Sequence, residues 1–180
     1  MANLKIVPGT TKTLFTGNVT ICGKTGRIEL QKAEFQDQQG KKVERFVIWS
    51  PNFPGCPFLG FTVPGAFSSL EDACHCLCEV GLKLESNPKN QGTLIFQAET
   101  DFMGHPAVGV KIYKTANNDY ECVLSKLFNP PCAPLYERNS FTESTLEEIF
   151  SQIENLKTFF YRLWILKQKQ IYGSTPNPDF

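Results

Sequence analysis

What this chain lacks narrows its chemistry before any motif is weighed. It carries no net charge, 18 basic residues balancing 18 acidic ones, so no global field draws it toward phosphate or anionic lipid. Any contact with nucleic acid has to be local. No apolar run approaches the ~18–20 residues that span a bilayer, and the opening stretch from Met1 to Pro8 lacks the apolar segment of a signal peptide. A membrane is therefore not expected among its partners, and the chain reads as cytoplasmic. Histidine is scarce, His75 and His105 being the two, which leaves few candidates for a general base. Seven cysteines in a chain read as unexported form an odd set, so reduced thiols are expected in place of a disulfide framework. The Asn18-Val19-Thr20 sequon then has no consequence.

What is present describes an ordinary globular chain with an aromatic excess. The 180 residues are enough to bury well over half of the unfolded surface, and the hydrophobic and charged fractions of 41% and 20% are unexceptional. Fifteen phenylalanines stand out, and they require either a large aromatic core or an adhesive surface.

Alternation of β-branched or aromatic residues with polar ones runs from Thr11 to Cys22 and from Arg27 to Gln36, separated by Gly23-Lys24-Thr25-Gly26, which predicts a hairpin. The apolar phase changes between Ile28/Leu30 and Ala33/Phe35, which predicts a bulge near Gln31-Lys32. Strands follow over Val43 to Trp49 and Phe58 to Val63. Ser68 and Glu71 have capping-box spacing before an apolar face of Leu70, Ala73, Cys74, Leu77, Val80 and Leu84, a helix expected to stop before Pro88. Further strands are predicted at Thr93 to Glu99, Ala107 to Lys114 and Tyr120 to Leu127, with a turn at Ala116-Asn117-Asn118-Asp119. The proline-rich run from Asn129 to Pro134 is expected to end the sheet. Ser144 and Glu147 offer a second capping box for a long helix reaching about Tyr172, its stripe formed by Leu146, Ile149, Phe150, Ile153, Leu156, Phe160 and Trp164.

The fold class is thus α+β, an antiparallel sheet in the order ββββ-α-βββ-α with a long C-terminal helix packed on it. Residues 1–172 form one domain, and 173–180 a flexible tail. The element order resembles the repeated four-strand-plus-helix units of single-stranded nucleic-acid binders of the Whirly or PUR kind. That likeness lies in order alone, carried by no shared motif, and it implies a sheet face able to hold a single strand.

No cofactor motif is complete. Gly23-Lys24-Thr25 resembles the end of a phosphate loop, but Asn18 stands where the first glycine belongs and strand patterns flank it on both sides. Cys74-His75-Cys76-Leu77-Cys78 holds zinc-type ligands, yet on a helix Cys76 points away from Cys74 and Cys78, so the three cannot share one ion. No metal site is assigned. A thiol enzyme would use Cys132 or Cys56 with His105, although no nucleophile signature surrounds either cysteine. No catalytic residue is assigned. Asp101 and His105 share a loop whose Gly104 and Pro106 are turn punctuation.

Two binding readings remain. Lys24, Arg27, Lys41, Lys42 and Arg45 lie among aromatics, with Trp49 or Phe46 as platforms, the combination that sequence-tolerant binding of single-stranded RNA or DNA needs. Glu29, Glu34, Asp37 and Glu44 dilute that patch. The other reading is a non-catalytic interaction or assembly protein, a subunit of a larger complex, whose partner is another protein chain or a second copy. Phe53, Phe58 and Phe61 sit in a proline-stiffened connection where rings are hard to hide. Near the end, one-sided amphipathicity gives way to Phe159-Phe160-Tyr161-Arg162-Leu163-Trp164-Ile165-Leu166, apolar on all sides and so requiring cover on all sides.

Overall fold

The structure, a computed structural model, describes residues 4–21, 24–50, 66–77, 92–102, 105–125 and 139–173. It is an α+β arrangement of an eight-stranded antiparallel sheet, a short helix and a long C-terminal helix packed on the sheet. In chain order the elements are β1 (Lys5–Ile6), β2 (Lys12–Ile21), β3 (Lys24–Gln36), β4 (Lys42–Trp49), α1 (Leu70–Leu77), β5 (Thr93–Phe102), β6 (His105–Lys114), β7 (Tyr120–Ser125), β8 (Asn139–Glu143) and α2 (Leu146–Tyr172). The short β1 and β8 were not anticipated. β8 pairs with β7 beyond the proline-rich segment, so the sheet continues where the sequence was read as ending it. The expected strand at Phe58 to Val63 and the helix turns after Leu77 lie outside the described residues.

β3 organises the first half of the sheet. One edge pairs with β2 and then β1, and the other runs beside β4 without interruption from Glu29↔Trp49 to Gln36↔Lys42. The register irregularity sits in β2 between Thr13 and Phe15, opposite Gln31 and Leu30. The extra residue is therefore Leu14, in the partner of the strand expected to bulge. A bulge lets two successive side chains face one way, and Leu14 and Phe15 are both buried in the main core. Because β3 itself is regular, its phase change is real: Ile28 and Leu30 face the helices, whereas Ala33 and Phe35 are buried on the opposite face, outside that core.

The two halves of the sheet meet where Asn18 of β2 pairs with Glu99 of β5. Thr100 Oγ1 donates to the Thr16 carbonyl across the joint at 2.7 Å. Above it lies a group of three phenylalanines, Phe15, Phe96 and Phe150, with centroids 5.3–5.6 Å apart and two of the three contacts edge-to-face. Such geometry adds about 0.5–1.5 kcal/mol per pair beyond simple burial. Leu70, Ala73, Cys74 and Leu77 of α1 join Leu146, Ile149, Phe150 and Ile153 of α2 in the same core.

Both helix starts fall one residue later than the sequence spacing predicted. Ser69 Oγ, not that of Ser68, accepts from the Asp72 amide at 3.1 Å. In α2 the box is Thr145 with Glu148: the Glu148 amide donates to Thr145 Oγ1 at 3.2 Å, and the Thr145 amide donates to Glu148 Oε2 at 3.0 Å. This shift leaves Glu71 and Glu147 free for partners elsewhere. Gly173, in the left-handed conformation at φ 66°, ends α2 and donates to the Lys169 carbonyl. Asn118, at φ 64°, turns the β6–β7 connection in the expected place.

Candidate functional site

The basic and aromatic residues considered for nucleic acid divide between the two faces of the sheet. Residues directly opposite in an antiparallel pair share a face. Trp49 lies opposite Glu29, Arg45 opposite Ala33, and Asn18 opposite Arg27, placing Trp49, Arg45, Arg27 and Asn18 on the face away from the helices. Trp49 is 43% exposed, and Arg27 is its diagonal neighbour, a separation of roughly 7–8 Å between strands. Lys42 is on the helix side, its ammonium 3.2 Å from Glu34 Oε2. Lys41 closes the β3–β4 turn, its amide donating to Asp37 Oδ1. Phe46 is buried in the core with Lys32 over its ring. Lys24 begins β3 at the far end of the first hairpin.

Beside Arg27, at the joint of the half-sheets, lies a cleft of about 200 Å³ lined by Thr16, Gly17, Asn18, Arg27, Thr100, Asp101 and Lys157. Its charges are largely spoken for. Lys157 sits 2.8 Å from Glu154 and over the Phe15 ring, and Asp101 opposes Arg27 in sign. The cleft is polar and close to neutral.

A second cleft, of about 340 Å³, opens between the starts of both helices and is lined by Phe46, Ser69, Leu70, Glu71, Tyr120, Ser144, Thr145, Leu146 and Glu147. Here the two glutamates released from capping take up tertiary bonds. Glu71 accepts from Lys114 Nζ at 2.9 and 3.0 Å and from the Tyr120 hydroxyl at 2.9 Å. The Lys114 ammonium, against the opposing pull of burial, holds the Glu71 carboxyl below its ordinary range, with help from Tyr120. Burial first, then the hydrogen bond to Glu71, raises the Tyr120 phenol. Glu147 and Glu44 both bind Lys32, at 2.9 and 3.0 Å. Burial pulls the Lys32 ammonium down, but these hydrogen bonds outweigh it and the net direction is upward. Glu71, held deprotonated beside Lys114, and Lys32, held protonated between its two carboxylates, act as cross-links between elements.

The thiols divide similarly. Cys74 and Cys122 are buried, and burial pushes the Cys122 thiol up, away from the thiolate that attacks or ligates. Cys76 is half-buried. Among the described residues no group of three or more His, Cys, Asp or Glu side chains converges. Cys56, Cys78 and Cys132 lie outside the described residues, as do Phe53, Phe58 and Phe61 of the proline-stiffened connection.

The last half of α2 differs from all of this. The whole helix, 27 residues, makes a rod of about 40 Å. Leu146, Ile149, Phe150 and Ile153 are buried, and Leu156 and Phe160 are half-buried, Phe160 meeting Phe102 edge-to-face at 5.7 Å. Beyond that contact the helix leaves the core. Phe159 is 54% exposed, Leu163 44% and Leu166 57%, while Tyr161 and Ile171 are exposed as well. Trp164 and Ile165 are half-buried, and the Trp164 ring stacks on Tyr161 at 6.4 Å. At about 100° per residue these side chains form two stripes, Phe159-Leu163-Leu166 on one side and Tyr161-Trp164-Ile165 on the other. Arg162, Lys167 and Lys169 lie between them and are exposed. No helix among the described residues is long and apolar enough to cross a membrane.

No family model, curated protein or solved structure matches this chain.

Proposed function

We propose that this protein is a non-catalytic assembly factor, a cytoplasmic subunit of a larger complex, which docks by the projecting half of α2. The observation that carries the reading is the exposure of Phe159, Leu163 and Leu166 together with Tyr161 on a helix that has already left its own core. Apolar stripes on two sides of one projecting helix call for cover on both, and rigid aromatic side chains at the centre of such a surface are the residue types that dominate binding energy. Both stripes of the projecting half are assigned to docking on another protein chain. The Phe/Pro connection with Phe53, Phe58 and Phe61 would add to the same docking. The ion-paired carboxylates and the buried thiols give no support to an enzyme.

The test is the native assembly isolated from source cells through the wild-type chain and through Trp164→Glu and Ile165→Glu variants. The expected result is one other protein at fixed stoichiometry with the wild type, absent with both variants, whose melting temperatures stay unchanged. Recovery of the wild-type chain with no other protein would overturn the reading.

A second reading rests on the co-facial arrangement of Trp49, Arg27, Arg45 and Asn18, which presents an exposed ring beside cations on the sheet face away from the helices. Single-stranded nucleic acid bound there would lose about 1–3 kcal/mol on Trp49→Ala if a base stacks on the ring. It would also weaken as salt rises. Lys42→Ala, on the other face, would leave it unchanged. Absence of binding at low salt removes this reading.

A further inference from the structure

We infer that the partner of the projecting half of α2 is a protein groove with apolar walls and an acidic floor, whose carboxylates meet Arg162 and Lys169. This inference rests on the docking reading of the helix and adds the chemistry of what it docks into.

The charges of α2 divide along its length. In the packed half each has a partner on the chain itself: Glu147 binds Lys32 at 2.9 Å, Glu148 caps the helix with Thr145, and Lys157 sits 2.8 Å from Glu154. In the projecting half Arg162, Lys167 and Lys169 are exposed, and none is ion-paired among the described residues. No acid stands between Glu154 and Asp179, so on a chain without net charge this stretch is cationic throughout. Lys169, in the last turn, also suits the negative end of the helix dipole. Arg162 is not so placed, and the residues three and four away from it are Thr158, Phe159, Ile165 and Leu166, so no helix neighbour pairs with it either.

At about 100° per residue, Arg162 and Lys169 fall in one row on the side of α2 opposite Phe160, with Leu166 along one flank and Ile165 along the other. A surface that covers both apolar stripes from outside therefore covers this row too. A cation enclosed without an opposite charge is costly to bury, so the covering surface has to supply carboxylates there, about 10 Å apart along the axis at 1.5 Å per residue. Lys167 lies on the Phe160 side, outside the row. An anionic bilayer takes a helix whose cations lie on a polar face opposite the apolar one, whereas this row divides the apolar arc and would be pressed among acyl chains. Nucleic acid would meet the row with phosphate but leave Phe159, Leu163 and Leu166 in water.

The test is the native assembly isolated through the whole chain and treated with a carbodiimide, which joins an amine to a carboxylate in direct contact, followed by mapping of the joined peptides. The expected result is Lys169 joined to an Asp or Glu of one other protein chain, and residue 162 joined likewise in Arg162→Lys. Recovery of that chain should fall by about tenfold or more in Arg162→Glu and Lys169→Glu, stay within about twofold of wild type in Lys167→Glu, and decline as salt rises. Melting temperatures should be unchanged in all three. Crosslinks from Lys167 alone, or only to acids of this chain, would overturn the acidic floor. So would loss of the partner on nuclease treatment, or binding of the pure chain to phosphatidylserine vesicles in place of a protein. A partner kept in Arg162→Glu and Lys169→Glu but lost in Trp164→Glu overturns the acidic floor and leaves the docking reading standing. Recovery of the wild-type chain with no other protein overturns both.

Discussion

The carbonyl oxygen of Glu99 occupies the space that a β-carbon on Gly17 would need, 2.5 Å from its ideal position, and the Phe15 ring lies 2.6 Å from the same point. This contact sits beside the Asn18↔Glu99 pair that joins β2 to β5. The absence of a side chain at residue 17 lets the halves of the sheet close on one another. Gly17→Ala should therefore destabilise the fold by about 1–3 kcal/mol, the range for overpacking, and Gly17→Val by more. Urea midpoints of the two variants against the wild type measure it. Gly9→Ala serves as a comparison for backbone strain without crowding, since Gly9 is at φ 79° with open space around it.

The cross-link among Glu71, Lys114 and Tyr120 gives stability a dependence on pH at both ends. The Glu71 carboxyl is held below its ordinary value of 4.5 in the folded chain, so its contribution is present above that value and is lost as pH falls through the folded pKa. Lys114 and Tyr120 are shifted upward from 10.5 and 10.0, so theirs is present below those values and is lost as pH rises through the folded ones. Denaturation midpoints measured from acid to alkaline pH should show a plateau between two falling limbs. Glu71→Gln should make the acid limb shallower, without flattening it, because Glu148 is also held low by Ser144 and Thr145.

These relationships mark where sequence patterns stop being informative. Period-2 alternation located β2, β3, β4 and β6, and the 3.6-residue stripe located α2, because each reflects burial on one side of a regular element. The bulge was visible only as a phase change, and a phase change in one strand does not say which of two paired strands carries the extra residue. It was Leu14. Capping boxes fail by one residue for a related reason. Ser144 with Glu147 and Thr145 with Glu148 have the same spacing, and what separates them is Lys32, distant in sequence, which claims Glu147. β8 was missed because Asn139–Glu143 is short and contains one strongly apolar residue, Phe141, so its partner β7 supplies the order that its own pattern does not. At the candidate site, the aromatic surplus of residues 159–166 was legible as too much apolar surface for one helix. The division of Lys42 from Trp49 was not, since face assignment depends on the β3–β4 register.

The choice of cap is itself open to measurement. Thr145→Ala removes the acceptor for the Glu148 amide and should cost about 1 kcal/mol, as replacement of a capping hydroxyl by alanine commonly does. Thr145→Asp keeps an acceptor there and should recover most of it. Thermal denaturation of both variants decides whether the helix begins at Leu146. A cost at Ser144 larger than at Thr145 would place the start one residue earlier.

The two halves of α2 should respond to truncation in opposite ways. Phe150 is 1% exposed and packs on Phe15 and Phe96, so Phe150→Ala leaves a cavity at the centre of the core and should cost about 3–5 kcal/mol. Leu163, on the projecting half, has 44% of its surface open in the isolated chain. Leu163→Ala should change the stability of the dilute chain by no more than about 0.5 kcal/mol, the usual scale for an exposed position. Its effect should appear in the native assembly, as a loss of the partner. Denaturant titration of the dilute chain beside recovery of the native assembly separates these contributions, because stability held within one chain is present without a partner and stability supplied by a partner is not. A large loss for Leu163→Ala in the dilute chain would mean that the projecting half is covered by its own chain, and the docking surface would then have to be sought elsewhere.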